Sequence, residues 1–228
     1  LLDIDATVVM PKTAPLAKQQ ATSGYGAKVV LAGDTFDESR AFMEQKAKED
    51  GLTVVDPYND PLVIAGQGSI GLEILDQLWD VDTVIVPVGG GGLITGIATV
   101  LKHFNPYIHI VGVQSENVHG MTASLQAGKL TRQCTGPTLA DGTAVAMPGD
   151  ITFGLAEELV DEMVLVSEEE IAEAMKDLLQ RTKTVAEGAG ALPTAALEAH
   201  KIAPQWLAGK KVVALVSGGN VDLERVAD

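Results

Sequence analysis

Short runs of apolar, often β-branched residues recur along the chain and are separated by stretches of mixed polarity. Runs of this length, bounded by glycine, proline or aspartate, are typical of buried strands. The pattern predicts strands over residues 6–10, 28–31, 54–55, 83–88, 108–113, 163–166 and 212–216. Because these runs show little polar alternation, we expect sheets that are covered on both faces.

The stretches between the strands have the apolar spacing of amphipathic helices. The predicted helices cover residues 14–21, 35–51, a segment after Gly68, a segment ending near His103, a segment ending near Arg181, and residues 190–199. Two of them begin with the spacing of a capping box, Thr35 with Glu38 and Ser167 with Glu170.

This alternation of strands and helices predicts an α/β fold, a three-layer sandwich with mostly parallel sheets. The segment Asn59-Asp60-Pro61 separates a shorter pattern from a longer and more regular one. We therefore expect two domains, residues 1–60 as the remainder of a small α/β domain and residues 61–228 as a large cofactor-binding α/β domain.

The net charge and the cysteine content limit which partners and which cell compartment are expected. The chain of 228 residues carries a formal net charge of −15, which disfavours nucleic acid and membrane surfaces as partners. The one cysteine, Cys134, cannot form an internal disulfide, so a reducing compartment, the cytoplasm, is expected. We interpret Cys134 as a small buried apolar residue.

Four consecutive glycines, Gly89, Gly90, Gly91 and Gly92, follow the strand predicted at residues 83–88. Glycine costs about 0.5–1 kcal/mol relative to alanine inside regular structure, so four together need a compensating role. A strand-to-helix turn without Cβ atoms lets several N–H groups approach one oxyanion. The loop therefore predicts phosphate binding, with a tight turn as the alternative, and its spacing matches neither a P-loop nor a dinucleotide fingerprint.

Two further segments are candidates for the same site. Ser217-Gly218-Gly219-Asn220 follows the last predicted strand, and ligands of parallel sheets collect at the carboxyl ends of strands. A serine there is able to pair with a ring nitrogen without imposing a charge, although a simple turn is the alternative. Glu187, in a run of small residues, is either a carboxylate beside a ligand or a favourable charge at a helix start.

Together these strings resemble the pyridoxal phosphate enzymes of the threonine dehydratase and serine racemase family. The matching strings are residues 64–68 (IAGQG), 89–92 (GGGG), 138–142 (TLADG), 187–190 (EGAG) and 217–220 (SGGN), in the family's order. Residues 114–120 (QSENVHG) are similar to those of the catabolic, short-form threonine dehydratases.

The resemblance implies a tryptophan synthase β-like fold (fold type II) with pyridoxal 5'-phosphate as cofactor. It places the cofactor phosphate on the four glycines and Leu93, Ser217 with Gly218 at the pyridine nitrogen, and Glu187 near the ring. The implied reaction is the dehydration and deamination of L-threonine, and of L-serine, to 2-oxobutanoate or pyruvate and ammonia. The family also implies a homodimer or homotetramer and a nucleotide effector.

The resemblance also separates the dehydratases from the racemases. Serine racemases of this family place a divalent metal where this chain has Gln114 and Gly120. Since neither residue is a carboxylate, we predict no metal site, and racemisation is disfavoured.

The catalytic lysine of this family lies in a Ser-x-Lys-x-Arg-Gly-Ala string, which the chain lacks. None of its 12 lysines has those neighbours, and the family's Ser-x-Gly-Asn-His substrate loop is also absent. Both strings precede residue 6 in family order, so we expect a fragment of an enzyme, without a catalytic residue and inactive alone. The alternatives are a natural truncation that binds the cofactor or a nucleotide without catalysis, and a relative of the serine racemases.

Overall fold

The computed structural model describes residues 4–133 and 136–221, so the prediction for Cys134 lies outside the described residues. The chain forms two compact units, residues 56–219 and a smaller unit of the residues up to Val55 together with Asn220 and Val221. The division after Val55 comes a few residues before the boundary predicted at residues 60 and 61.

The smaller unit contains a two-stranded parallel sheet of β1 (Thr7–Met10) and β2 (Lys28–Leu31). Its helices are α1 (Leu16–Gly24) and α2 (Phe36–Asp50). The capping signal of α2 is confirmed at Thr35, whose hydroxyl accepts the N–H of Glu38 at 3.3 Å.

The strand predicted at residues 54–55 is wrong. Those residues form no strand, because the described part of the chain offers them no strand to pair with. Val55 is 72% exposed, so its β-branched side chain is not buried in a sheet.

The larger unit is built on a four-stranded parallel sheet in the order β5-β4-β3-β6. The strands are β3 (Thr83–Pro87), β4 (His109–Ser115), β5 (Glu162–Val166) and β6 (Val212–Ala214). The helices are α3 (Pro61–Gln77), α4 (Gly92–Phe104), α5 (Gly120–Ala127), α6 (Asp150–Leu159), α7 (Glu168–Asp177) and α8 (Gly188–Glu198).

The side chains of β3 divide between two apolar cores, one on each face of the sheet. Val84 and Val86, together with Val88 just after the strand, pack in a cluster with residues of α3, α4 and α6. Ile85 packs in the opposite cluster with residues of α7 and α8. The structure therefore confirms the predicted sandwich, with a parallel sheet between two layers of helices.

Helix α3 begins at Pro61, well before the start predicted after Gly68. Asp60 caps it by accepting the N–H groups of Leu62 and Val63, and proline suits the first helical position. Two glycines of this helix face α4, since a Cβ added at Gly68 would lie 3.2 Å from the carbonyl oxygen of Gly96 and one added at Gly71 would lie 3.1 Å from that of Ile97. They allow close helix packing and do not interrupt the helix.

The capping box predicted at Ser167 and Glu170 is confirmed at the start of α7. The predicted continuation to Arg181 is a π-helical turn, Leu178–Thr182, which follows α7 directly. It ends at Lys183, whose φ of 60° is left-handed. No helix within residues 4–133 and 136–221 is long and apolar enough to cross a membrane.

Candidate functional site

The loops that follow β3 and β6 lie at one edge of the sheet. The two strands are parallel neighbours, with Thr83 opposite Val212 and Ile85 opposite Ala214. The four-glycine loop leaves β3 and the loop of Ser217 leaves β6, both at the carboxyl ends. Both turns therefore leave the sheet at the same edge, as the sequence predicts.

The backbone of the glycine loop leaves no room for side chains. Gly91, the residue that caps α4, has a φ of 101°, and a Cβ added there would lie 2.5 Å from Cε of Met121. Cβ atoms at Gly90 and Gly92 would collide with Tyr58, a buried side chain that covers this side of the loop. Glycine is thus required at Gly91 by conformation and at the other two by space.

The carbonyl groups at the centre of this loop are held by the protein. The Oγ1 of Thr152 donates to the carbonyl oxygen of Gly90 at 2.6 Å. The Oγ1 of Thr95 and its N–H both donate to the carbonyl oxygen of Gly91, at 2.8 and 3.1 Å. These bonds fix the orientation of the peptide planes in the loop.

The N–H groups of the same loop, by contrast, meet no acceptor among residues 4–133 and 136–221. This holds for the five consecutive residues Gly89, Gly90, Gly91, Gly92 and Leu93, and no side chain caps α4. Three of the five, Gly90, Gly91 and Gly92, are buried. Clustered backbone donors at a helix N-terminus, with no Cβ in the way, are suited to an oxyanion such as phosphate.

A second segment, the turn Asp141–Thr143, lies between the glycine loop and Glu187. A Cβ added at Gly89 would lie 3.0 Å from Cα of Thr143. A Cβ added at Gly142 would lie 3.2 Å from Oε1 of Glu187. The end of the TLADG string thus lies beside Glu187, and the next residue, Thr143, lies beside the glycine loop.

Glu187 also contacts the loop that follows β6. Its N–H donates to the carbonyl oxygen of Gly218 at 3.0 Å. A Cβ added at Gly218 would lie 2.6 Å from Oε1 of Glu187, so the side chain of Glu187 lies against this glycine as well. Ser217 itself is exposed, and it is Gly218 that contacts Glu187.

Sequence reasoning missed three residues that support the glycine loop: Tyr58, Thr152 and Gln114. Gln114 is fully buried, and its Nε2 donates to the carbonyl oxygen of Val88, directly before the glycines, at 3.2 Å. Its Oε1 accepts the N–H and the hydroxyl of Thr122, both at 2.9 Å. The sequence analysis considered Gln114 only as a metal-site position, and it did not mark Tyr58 or Thr152, so it is the fold that shows these residues meeting the loop.

Gly120, the second position that the resemblance associates with a metal in the racemases, is also closely packed. A Cβ added at Gly120 would lie 2.5 Å from the carbonyl oxygen of Ala146. Gln114 and Gly120 are therefore both packed against other parts of the protein.

Comparison with known proteins identifies the family of the chain. A family model described as pyridoxal-phosphate dependent enzyme matches residues 1–218. The protein of Staphylococcus aureus (strain N315) named L-threonine dehydratase catabolic TdcB is 64% identical over 227 residues. That alignment covers 100% of this chain and 66% of the relative, so the chain spans just under two thirds of the relative's length.

Solved structures give the same result. The processed form of threonine deaminase isoform 2 from Solanum lycopersicum is 40% identical with a TM-score of 0.87, over 98% of this chain and 65% of that one. Maize serine racemase is 33% identical with a TM-score of 0.90, over 98% of this chain and 68% of that one. The chain therefore belongs to the family of pyridoxal-phosphate dependent enzymes.

Proposed function

We propose that this chain holds the phosphate of pyridoxal 5'-phosphate on the N–H groups of Gly89, Gly90, Gly91, Gly92 and Leu93. The observation that carries the proposal is the set of five adjacent N–H groups, which meet no acceptor among the described residues, in a loop without room for side chains. Since the carbonyl groups of Gly90 and Gly91 are already bound, an oxyanion would be the partner of these donors.

We further propose that Ser217 and Gly218 lie at the pyridine nitrogen and that Glu187 lies beside the ring. Their support is the shared edge of β3 and β6 and the contacts that Glu187 makes with Gly142 and Gly218. A neutral hydroxyl at the nitrogen, as Ser217 offers, leaves that nitrogen largely unprotonated, which suits prompt loss of a β-hydroxyl.

The proposed reaction of the whole protein is the conversion of L-threonine to 2-oxobutanoate and ammonia, and of L-serine to pyruvate and ammonia. Its support is 64% identity to a protein named L-threonine dehydratase and 40% identity to a threonine deaminase. When bound, pyridoxal phosphate supplies an electron-withdrawing ring for chemistry at the α-carbon. The residues of this chain bind the phosphate, orient the ring and set the charge at its nitrogen.

Proton removal from the α-carbon needs a base that this chain does not offer in the family's form. None of the 12 lysines stands in the Ser-x-Lys-x-Arg-Gly-Ala string. We therefore expect the 228 residues alone to bind cofactor without turning over threonine.

For partners and compartment we propose a homodimer or homotetramer, a nucleotide effector and the cytoplasm. The support is the family resemblance and a single cysteine, which is typical of reducing compartments. Sedimentation velocity measures the assembly state, and titration with nucleotides measures effector binding.

The decisive experiment is to mix the chain with pyridoxal phosphate, follow the absorbance, reduce with borohydride and locate covalent adducts by mass analysis. We expect reversible binding, no adduct at a unique lysine, and no 2-oxobutanoate from threonine. A single stoichiometric adduct with turnover would show that a lysine within these residues is catalytic, and absence of binding would contradict the cofactor site.

Serine racemisation is the second candidate, because maize serine racemase superimposes with a TM-score of 0.90. The packing of Gln114 and Gly120 disfavours it. The test is to incubate L-serine with the whole protein and analyse the products. A racemase would form D-serine, whereas a lyase would form pyruvate.

A further inference from the structure

Thr152 is a fully buried residue of α6 that reaches the glycine loop. It has no exposed surface, and its Oγ1 donates to the carbonyl oxygen of Gly90 at 2.6 Å, between residues 62 positions apart. The same Oγ1 lies 3.2 Å from the carbonyl oxygen of Gly149, one helical turn earlier. A threonine hydroxyl in a helix is ordinarily satisfied by such a local carbonyl, so the shorter bond to Gly90 is not needed for Thr152 itself.

The bond determines where the next N–H points. A trans peptide is planar, so its carbonyl and N–H point in opposite directions, and the described residues contain no cis peptide. With the Gly90 carbonyl directed at Thr152, the N–H of Gly91 is directed away from it. Among residues 4–133 and 136–221 neither a second donor to the Gly90 carbonyl nor an acceptor for the Gly91 N–H is present.

Gly91 also needs external support for its conformation. Its φ is 101°, and a glycine flanked by other glycines is free to adopt many other backbone conformations. A Cβ added at Gly91 would lie 2.9 Å from Cβ of Thr152, so Thr152 packs against this residue as well as bonding to its neighbour. Packing and hydrogen bond together select one conformation of an otherwise flexible loop.

We propose that Thr152 is a positioning residue for the phosphate site, acting through the Gly90–Gly91 peptide to aim the N–H of Gly91 at the anion. The inference rests on the proposed cofactor site and adds to it a residue from another helix. Its consequence is specific: loss of the hydroxyl weakens the binding of phosphate-bearing ligands and leaves ligands without a phosphate unaffected.

The test compares pyridoxal phosphate with pyridoxal, which lacks the phosphate, by absorbance titration of the purified protein. Thr152→Val keeps the shape but removes the donor, and it is expected to lower the affinity for pyridoxal phosphate roughly tenfold with no change for pyridoxal. Thr152→Ser keeps the donor and is expected to stay within about twofold of the unsubstituted protein. Inorganic phosphate should compete less well in the valine variant.

Thr83→Val is the matched control. Thr83 is also fully buried, and its Oγ1 donates to one distant carbonyl, that of Trp206, at 2.8 Å. It lies at the amino end of β3, whereas the glycine loop follows the carboxyl end. The control should lose thermal stability like Thr152→Val but keep the full preference for pyridoxal phosphate over pyridoxal.

Each outcome decides between the two proposals. If the unsubstituted protein shows no preference for pyridoxal phosphate over pyridoxal, the proposed function fails and this inference fails with it. If it shows the preference and Thr152→Val retains it, only the role of Thr152 is overturned. Should the valine variant not fold, Thr152→Ala carries the same expectation, with folding checked by circular dichroism.

Discussion

Gly91 combines two constraints that a side chain would have to satisfy at once. Its φ of 101° is costly for any L-residue, and an added Cβ would lie 2.5 Å from Cε of Met121 and 2.9 Å from Cβ of Thr152. The buried neighbours leave little space for relaxation, because Met121 and Thr152 are both fully enclosed. Conformational strain and overpacking therefore add at this position.

We predict that Gly91→Ala lowers the free energy of unfolding by about 2–4 kcal/mol and abolishes the preference for pyridoxal phosphate over pyridoxal. Urea denaturation and the ligand titration measure the two effects. Gly128→Ala is the control, since Gly128 has a φ of 63° and nothing within 4 Å of an added Cβ. It should cost only about 1–2 kcal/mol of strain, and equal losses for the two variants would contradict the packing argument.

Residues differ in how far the sequence reveals their role. The four glycines are detectable because their cost in conformational entropy is visible without a structure. Thr152 is not detectable, because one threonine in a helix looks the same whether its hydroxyl binds the preceding turn or a loop 62 positions away. The sequence indicated Gln114 only as the position of a lost metal ligand, whereas in the fold its Nε2 donates to the carbonyl oxygen of Val88.

At the scale of elements, Glu168 connects the start of α7 to two other segments. Its Oε1 accepts the hydroxyl of Ser115 at the end of β4, and its Oε2 accepts the N–H of Leu139, both at 2.6 Å. Leu139 belongs to the TLADG string, which continues into the turn beside Gly89 and Glu187. One carboxylate thus anchors the segment that borders the candidate site.

We predict that Glu168→Gln lowers the free energy of unfolding by about 1–2 kcal/mol and weakens the binding of pyridoxal phosphate. A glutamine amide has one oxygen, so its NH₂ group must face one of the two donors. Glu173→Gln, on the same helix with an exposed side chain, should change stability by less than about 0.5 kcal/mol. Equal urea midpoints for the two variants would argue against the anchoring role.

The end of α8 carries an unfavourable charge. Partial burial, followed by repulsion from Asp177 of α7, raises the pKa of Glu198 above its usual value. Glu198 is also the last residue of its helix, where the dipole disfavours a negative charge. Because folding disfavours the carboxylate form, the ionised side chain destabilises the folded protein. This destabilisation is complete above the folded-state pKa of Glu198 and disappears below its unfolded-state pKa.

We predict that Glu198→Gln raises the free energy of unfolding at pH 7 by about 0.3 kcal/mol, a value kept small because most of the side chain remains exposed to solvent. The gain should vanish as the pH falls below about 4.5, the ordinary range of a glutamate. Thermal melts across this range measure it. Glu158→Gln is the control, because Glu158 lies near the end of α6 and its charge interacts with a helix dipole but not with Asp177. An equal gain in stability for both variants would contradict a contribution from Asp177.

Strands could be predicted where a short apolar run also has a neighbouring strand to pair with. The six described strands lie within two residues of their predicted bounds, including β1 and β2, whose residues are not buried. Helices α5 and α6 were not predicted, since neither stretch, GMTASLQA or DITFGLAEEL, stands out by spacing alone. The strand at residues 54–55 failed for the opposite reason, because propensity without a pairing partner forms no sheet.

At the scale of the whole molecule, the two units differ in the means they have to stabilise their sheets. In the larger unit every residue of β3 and β4 is buried, and both strands have a partner on each side. Among residues 4–133 and 136–221, β1 and β2 of the smaller unit pair only with each other, and none of their residues is buried. A two-stranded sheet with little burial is at best marginally stable.

We therefore predict that amides of β1 and β2 exchange with deuterium at least about 100-fold faster than those of β3 and β4 under native conditions. Opening β1 and β2 costs few apolar contacts, whereas opening β3 exposes Val84, Ile85 and Val86, which are fully buried between two cores. Hydrogen exchange read by mass spectrometry of peptides covering each strand gives both rates in one sample. Peptides from β6, the edge strand with half-buried residues, serve as an internal reference and should be intermediate. Equal protection of all strands would mean that the two units open together, and the division after Val55 would then have no counterpart in local stability.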